Sequence, residues 1–150
     1  MKFLFALIAC IVLMTACVKN KFTTEPQIHI KSITPNTVFS GDVITVKSKY
    51  TDKEGDIDSV YVVYKWYNGN TVVRADTFRY VFDGLGVPPQ ITEADLDVTF
   101  EYNTGNIPHM QSLPGVFARD TTASFGLILI DKGAHRSSYS ESDKIRLKKP

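Results

Sequence analysis

Four carboxylates crowd one short stretch, "DKEGDID": Asp52, Glu54, Asp56 and Asp58, set around Gly55. Carboxylate oxygens are hard donors, and calcium takes roughly six to eight oxygen ligands. Closely spaced acids on a turn supply several at once. The spacing departs from D-x-D-x-D-G calcium loops, and no glutamate follows where such loops place a bidentate ligand. The stretch therefore reads first as a solvated turn, with Gly55 at positive φ and the acids hydrated. Calcium coordination is the chemical alternative, and calcium is the one cofactor the sequence suggests.

Other reactive side chains form weaker patterns. His29, His109 and His135 are far apart, and no H-E-x-x-H spacing exists. There is no G-x-S-x-G, and "GLG" at 84–86 is a turn followed by prolines, not a phosphate cradle. Glu93 and Asp95 form an acid pair of the kind glycosidases use. Alternating acids on a strand more often face solvent. The reading is a protein without catalytic residues, with a degenerate hydrolase as the last alternative.

The elements that position these residues are strands. "QIHIKSI" alternates, with Ile28 and Ile30 on one face. "VITVKSKY" turns Ile44, Val46 and Tyr50 inward. "SVYVVYKWY" is dense in β-branched and aromatic residues. It puts Val60, Val62, Tyr64 and Trp66 inward, and Tyr61, Val63, Lys65 and Tyr67 outward. Asn68-Gly69 predicts a type I′ hairpin. The return run "TVVRADTFRYVF" is long and is expected to bend near Ala75-Asp76. "TEAD" at 92–95 suggests one helical turn. "LDVTFEY" places Leu96, Val98, Phe100 and Tyr102 inward, and Asp97, Thr99 and Glu101 outward. "SFGLILI" is apolar on both faces, as in a central strand. "KIRLK" closes the domain with Ile145 and Leu147 inward. Seven to eight short strands with turns between them predict an all-β fold, an antiparallel β-sandwich over 27–150. Trp66 on the third strand points to the immunoglobulin-like type, although that type's paired cysteines are absent.

Residues 103–120, "NTGNIPHMQSLPGVFARD", carry no clear period. Long irregular loops tend to bind or to move. Met110, Leu113, Val116 and Phe117 would form a contact patch if exposed. The plainer reading folds Val116 and Phe117 back over the sandwich end.

At the N-terminus, Lys2 precedes an apolar run over 3–16 without charge. The run is shorter than the roughly 20 residues of a membrane-spanning helix. It fits a signal peptide of basic start, apolar middle and small residues before a cut. The run ends in Leu13-Met14-Thr15-Ala16-Cys17, which resembles the lipobox of bacterial lipoproteins. Met14 stands where that family most often has leucine. The resemblance implies cleavage after residue 16 and lipid on the Cys17 thiol. Residues 17–26 then form a lipidated tether. Cys10 leaves with the signal peptide, so the folded domain holds no thiol and no disulfide. Loss of Lys2 leaves basic and acidic residues equal in number, which argues against nucleic acid as a partner.

The stretches "SGDVITVKSKYTDKEGDIDSVYV" and "SFGLILIDKGAHRSSYSESDKIRL" resemble the small immunoglobulin-like lipoproteins of Bacteroidetes bacteria. The match lies in turn motifs: Gly41-Asp42, the D-x-x-G-D loop, and the Asp131-Lys132-Gly133-Ala134-His135-Arg136-Ser137 run, where that family's D-K-x-G-x-x-S loop precedes the last strand. It covers most of the mature chain and implies an envelope lipoprotein, held in the membrane by its lipid anchor. Val18 after the cysteine, in place of an inner-membrane-retaining aspartate, implies the outer membrane. The basic "VKNKF" implies its periplasmic face rather than the cell surface. Two triplets, at Ser59 and Thr121, fit the O-glycosylation pattern of exported proteins from these bacteria. The expected role is a binding or structural module whose partner is an envelope protein or a glycan. A carbohydrate-binding accessory protein is the alternative, with Tyr61 and Tyr67 as sugar-stacking platforms if both face outward.

Overall fold

Two β-sheets carry the chain, and the residues that face each other between them are those the period-2 pattern selects. The structure is a computed structural model describing residues 23–84, 90–115 and 118–150. The leader, with Cys17, lies outside the described residues, as do Val116 and Phe117. The strands are β1 (Gln27–Thr34), β2 (Thr37–Val38), β3 (Val43–Thr51), β4 (Ile57–Asn68) and β5 (Thr71–Val81). They continue with β6 (Glu93–Tyr102), β7 (Gln111–Leu113), β8 (Thr121–Asp131), β9 (Ser140–Glu141) and β10 (Ile145–Leu147). One sheet runs β1-β3-β6-β7, and the other β2-β10-β8-β4-β5, with β9 beside β8. No described helix is long and apolar enough to cross a membrane.

This is the expected β-sandwich, with ten strands in place of seven to eight. The additional strands, β2, β7 and β9, are two or three residues long and have no periodicity to read. β1 and β2 lie in different sheets on either side of Pro35-Asn36, so the chain crosses the sandwich corner there. β2 pairs parallel with β10, and β7 pairs parallel with β6. All other strand pairs are antiparallel.

The alternation in β3, β4, β6 and β10 places side chains as expected. Ile44, Val46, Tyr50, Val60, Val62, Tyr64, Trp66, Val98, Phe100, Tyr102, Ile145 and Leu147 are all buried. An aromatic cluster joins the sheets. Tyr64 stacks on Phe78 with ring centroids 5.7 Å apart, Phe78 meets Phe100 at 5.8 Å, and Phe100 stacks on Phe125 at 5.3 Å. Such pairs add about 0.5–1.5 kcal/mol each beyond the area they bury.

Four local expectations change. β5 runs unbroken through Ala75-Asp76, because these residues pair in register with Lys65 and Tyr64 of β4. The irregularity sits instead at Val73, which the pairing skips between Trp66↔Arg74 and Tyr67↔Val72. The hairpin forms, but Gly69-Asn70 is its loop and Asn68 pairs with Thr71. Gly69 alone takes positive φ, at 61°, so the loop follows the Gly-first II′ pattern rather than I′. Residues 93–95 extend β6 against β3 rather than forming a helical turn. Tyr67 and Glu101, both expected outward, are buried at 8% and 1% exposure. Their outward faces are covered, Tyr67 by Glu141 of β9 beside Ser124 and Glu101 by the 104–107 turn.

Among the described residues β5 forms the rim of its sheet, pairing only with β4, and its first seven residues are exposed.

Candidate functional site: a cluster of buried carboxylates

The loop after β3 is held from three directions. Asp52 N–H donates to Thr92 O at 2.9 Å, Gln90 N–H to Gly55 O at 3.0 Å, and Lys132 N–H to Asp56 O at 3.0 Å. Gly55 has φ 66°, and a Cβ there would fall 2.6 Å from the carbonyl carbon of Gln90. Glycine is required on both counts. The anticipated turn at positive φ is therefore present, but it is covered rather than solvated.

The covering separates the four acids. Asp52 is fully buried, while Glu54 is exposed. Asp58 is half-buried and accepts a hydrogen bond from Arg79 at 2.9 Å. Asp56 turns towards Asp52. A third carboxylate joins them from the end of β8, where Asp131 pairs in register with Ile57. One carboxylate oxygen from each of Asp52, Asp56 and Asp131 lies within 4.8 Å of the others. Glu54 and Asp58 are not part of this group, and Asp131 was not foreseen.

Each member has one oxygen anchored or free in a definite way. Asp52 Oδ2 accepts the Asp56 N–H at 2.9 Å. Asp131 Oδ1 accepts the His135 N–H at 2.8 Å, and its Oδ2 lies 2.8 Å from His135 Nδ1. Asp52 Oδ1 and Asp56 Oδ1 are buried and have no hydrogen-bond partner among the described residues. Burial pushes the Asp52 carboxyl above the ordinary aspartate range, since the charged form loses its hydration. Hydrogen bonding to Asp131 holds the His135 imidazolium above the usual histidine range. His29 and His109 are exposed and are not part of this group.

A second polar group lies on the outer face of the β8–β4 sheet. Glu141 accepts from Ser124 Oγ at 2.6 Å, Lys65 Nζ at 3.0 Å and Tyr67 OH at 3.2 Å. Burial opposes the Glu141 charge, yet Ser124, Lys65 and Tyr67 together hold its carboxyl below the usual range. The Tyr139 hydroxyl, then Glu141, raises the Lys65 ammonium pKa. Tyr67 is thus committed to this network. It does not pair with Tyr61 as an outward platform, and Arg79 lies 5.8 Å from the Tyr61 ring centroid.

The remaining predicted residues scatter. Leu113 is a core residue at 1% exposure, so it offers no contact surface. Met110 is half-buried and lines a groove of about 280 Å³ with Tyr80, Leu96 and Val98. Ser59 is 1% exposed, which leaves no room for a glycan in the folded chain. Thr121 is half-buried and donates its hydroxyl hydrogen bond to Tyr67 O. Glu93 and Asp95 ion-pair with Lys49 and Lys31 on the outer face of the other sheet.

Glu101 is the buried acid that alternation misplaces. Its oxygens accept from the Asn106 and Ile107 N–H groups, each at 2.9 Å, and from the Thr104 hydroxyl. A Thr-x-Asn-Ile run three to six residues after a strand glutamate is the sequence signal for such a loop anchor.

No protein family matches the chain, and no curated protein sequence matches it. Among solved structures, it is similar to an alkylpurine DNA glycosylase of Pseudomonas fluorescens bound to DNA containing an abasic site analog. That likeness has 12% identity and a TM-score of 0.44, over 83% of this chain and 31% of the other. Spo0M, a sporulation control protein of Bacillus subtilis, is similar at 10% identity and TM-score 0.42, over 85% and 51%. A Niemann-Pick type C2 protein from the Japanese carpenter ant is similar at 15% and 0.40, over 83% and 89%. The chain thus spans about a third and about half of the first two proteins.

Proposed function

We propose that the chain is a lipid-anchored protein of the bacterial envelope whose β-sandwich serves as a non-enzymatic binding or structural module. The observation that carries this reading is Leu13-Met14-Thr15-Ala16-Cys17 at the end of a short apolar run, with no cysteine after it. The domain that follows holds no thiol with which Cys17 could pair, which supports lipid attachment as its role. Each buried CH₂ of a lipid contributes about 0.8 kcal/mol, and two or more chains give a stable anchor. Residues 17–26 reach at most ~35 Å when extended, which keeps the sandwich close to the bilayer. Val18 and the basic residues after it favour the periplasmic face of the outer membrane.

Expression in a Bacteroidetes host with alkyne-palmitate labelling tests the reading. The expected result is a labelled, shortened chain in the membrane fraction, and an unlabelled, uncleaved or soluble Cys17→Ala variant. A Cys17→Ala product of mature size that stays membrane-bound would overturn it.

A further inference from the structure

We propose that Asp52, Asp56 and Asp131 form a binding site for a divalent cation, calcium by its chemistry, which ties the loop after β3 to the end of β8. Three observations converge on it. The three carboxylates come from two chain segments brought together by the β4–β8 register, with one oxygen of each within 4.8 Å of the others. Asp52 is fully buried with one carboxylate oxygen in this cluster, and its Oδ1 has no hydrogen-bond partner among the described residues. Asp56 Oδ1 is buried and undonated in the same way. A buried carboxylate oxygen without a donor costs stability unless something positive meets it. Among the described residues, no lysine or arginine ion-pairs with these aspartates, and His135 engages Asp131 alone.

The donor set chooses the ion. All three groups offer oxygen, which suits hard cations and not zinc or copper. Calcium accepts several carboxylates in flexible geometry, whereas magnesium demands a near-ideal octahedron and usually keeps most of its waters, with one or two carboxylates. Three carboxylates in one cluster therefore suit calcium. The rigid backbone around the cluster, with Gly55 under Gln90 and Asp56 O bonded to Lys132 N–H, presets the carboxylates. The site is independent of lipid attachment at Cys17.

Calcium chloride titration of the detergent-solubilised full-length protein, after chelator treatment, tests the proposal by calorimetry and thermal melting. The expected result is saturable binding, with the melting midpoint raised by roughly 10 °C at a hundredfold excess over Kd. Asp56→Asn and Asp131→Asn should each weaken calcium at least tenfold, and Asp58→Asn should leave it unchanged. Neither heat nor a melting shift in wild-type protein up to ~10 mM calcium would overturn the proposal. So would wild-type affinity in both weakened variants. An equal response to magnesium would overturn the assignment to calcium.

Discussion

The ring of Tyr139 rests on the bare backbone of Gly126: a Cβ on Gly126 would fall 2.1 Å from the ring. The contact places Tyr139 where Lys65 Nζ lies 4.7 Å from its ring centroid. Gly126→Ala should push the ring aside, lose that cation–π contact and cost about 1 kcal/mol. In a Tyr139→Ala background the same change should be neutral or stabilising, because alanine reduces the freedom of the unfolded chain. Urea unfolding of the four proteins measures the reversal. A penalty of equal size in both backgrounds would refute the contact as its cause.

Gly55 and Gly69 share positive φ, at 66° and 61°, yet differ in surroundings. Nothing lies within 4 Å of a Cβ on Gly69, whereas Gln90 backbone blocks one on Gly55. Gly69→Ala should cost only the left-handed backbone, about 1–2 kcal/mol. Gly55→Ala should cost about 2–4 kcal/mol, since rigid backbone must also move. Equal losses in denaturant midpoint, at unchanged m-value, would contradict this ordering.

Glu101 supplies a pH dependence. The Thr104 hydroxyl first, and the Ile107 and Asn106 N–H groups, hold its carboxyl below the usual glutamate range. The folded pKa is depressed, so the unfolded chain takes up the proton first as pH falls. The contribution is complete above about pH 5 and fades as pH drops through the folded value, below ~4.3. The stability gap between wild type and Glu101→Gln should be constant from pH 7 to 5 and shrink towards pH 3. Other carboxylates titrate alike in both proteins and cancel. A gap that stays constant to pH 3 would remove Glu101 as the source.

Tyr64 is fully buried, and its hydroxyl has no hydrogen-bond partner among the described residues. Its ring carries the contacts, stacking on Phe78 and meeting Trp66 at 5.5 Å. Tyr64→Phe should leave stability unchanged or raise it by up to about 1 kcal/mol. Tyr64→Ala should cost about 3–5 kcal/mol, as large-to-small aromatic changes in a core do. A loss above 1 kcal/mol in Tyr64→Phe would reveal a hydrogen bond to the hydroxyl.

Period-2 alternation was enough to read the inner faces of β3, β4 and β6, because one side of each strand meets the opposite sheet. It misplaced Glu101 and Tyr67 because their outward faces are covered by other segments, the 104–107 turn and the β9 region. Such cover comes from loops, which carry no period. The acid cluster was half legible. Asp52 and Asp56 are neighbours in sequence, but Asp131 joins them only through the pairing of Ile57 with Asp131 across β4 and β8. Local spacing therefore overvalued Glu54, which the turn exposes, and Asp58, which lies at the start of β4 and meets Arg79.

Among the described residues, β5 has one long row of backbone donors and acceptors with no strand beside it, at the rim of its sheet. Such a row is a template on which another chain can add a strand. Val72 and Val73 make its beginning apolar, at 45% and 60% exposure, while Arg74, Asp76 and Arg79 interrupt it with charge. Charge along an edge strand opposes the addition of another strand, so neutralising Arg74, Asp76 and Arg79 together should make this rim more prone to pair with a second copy.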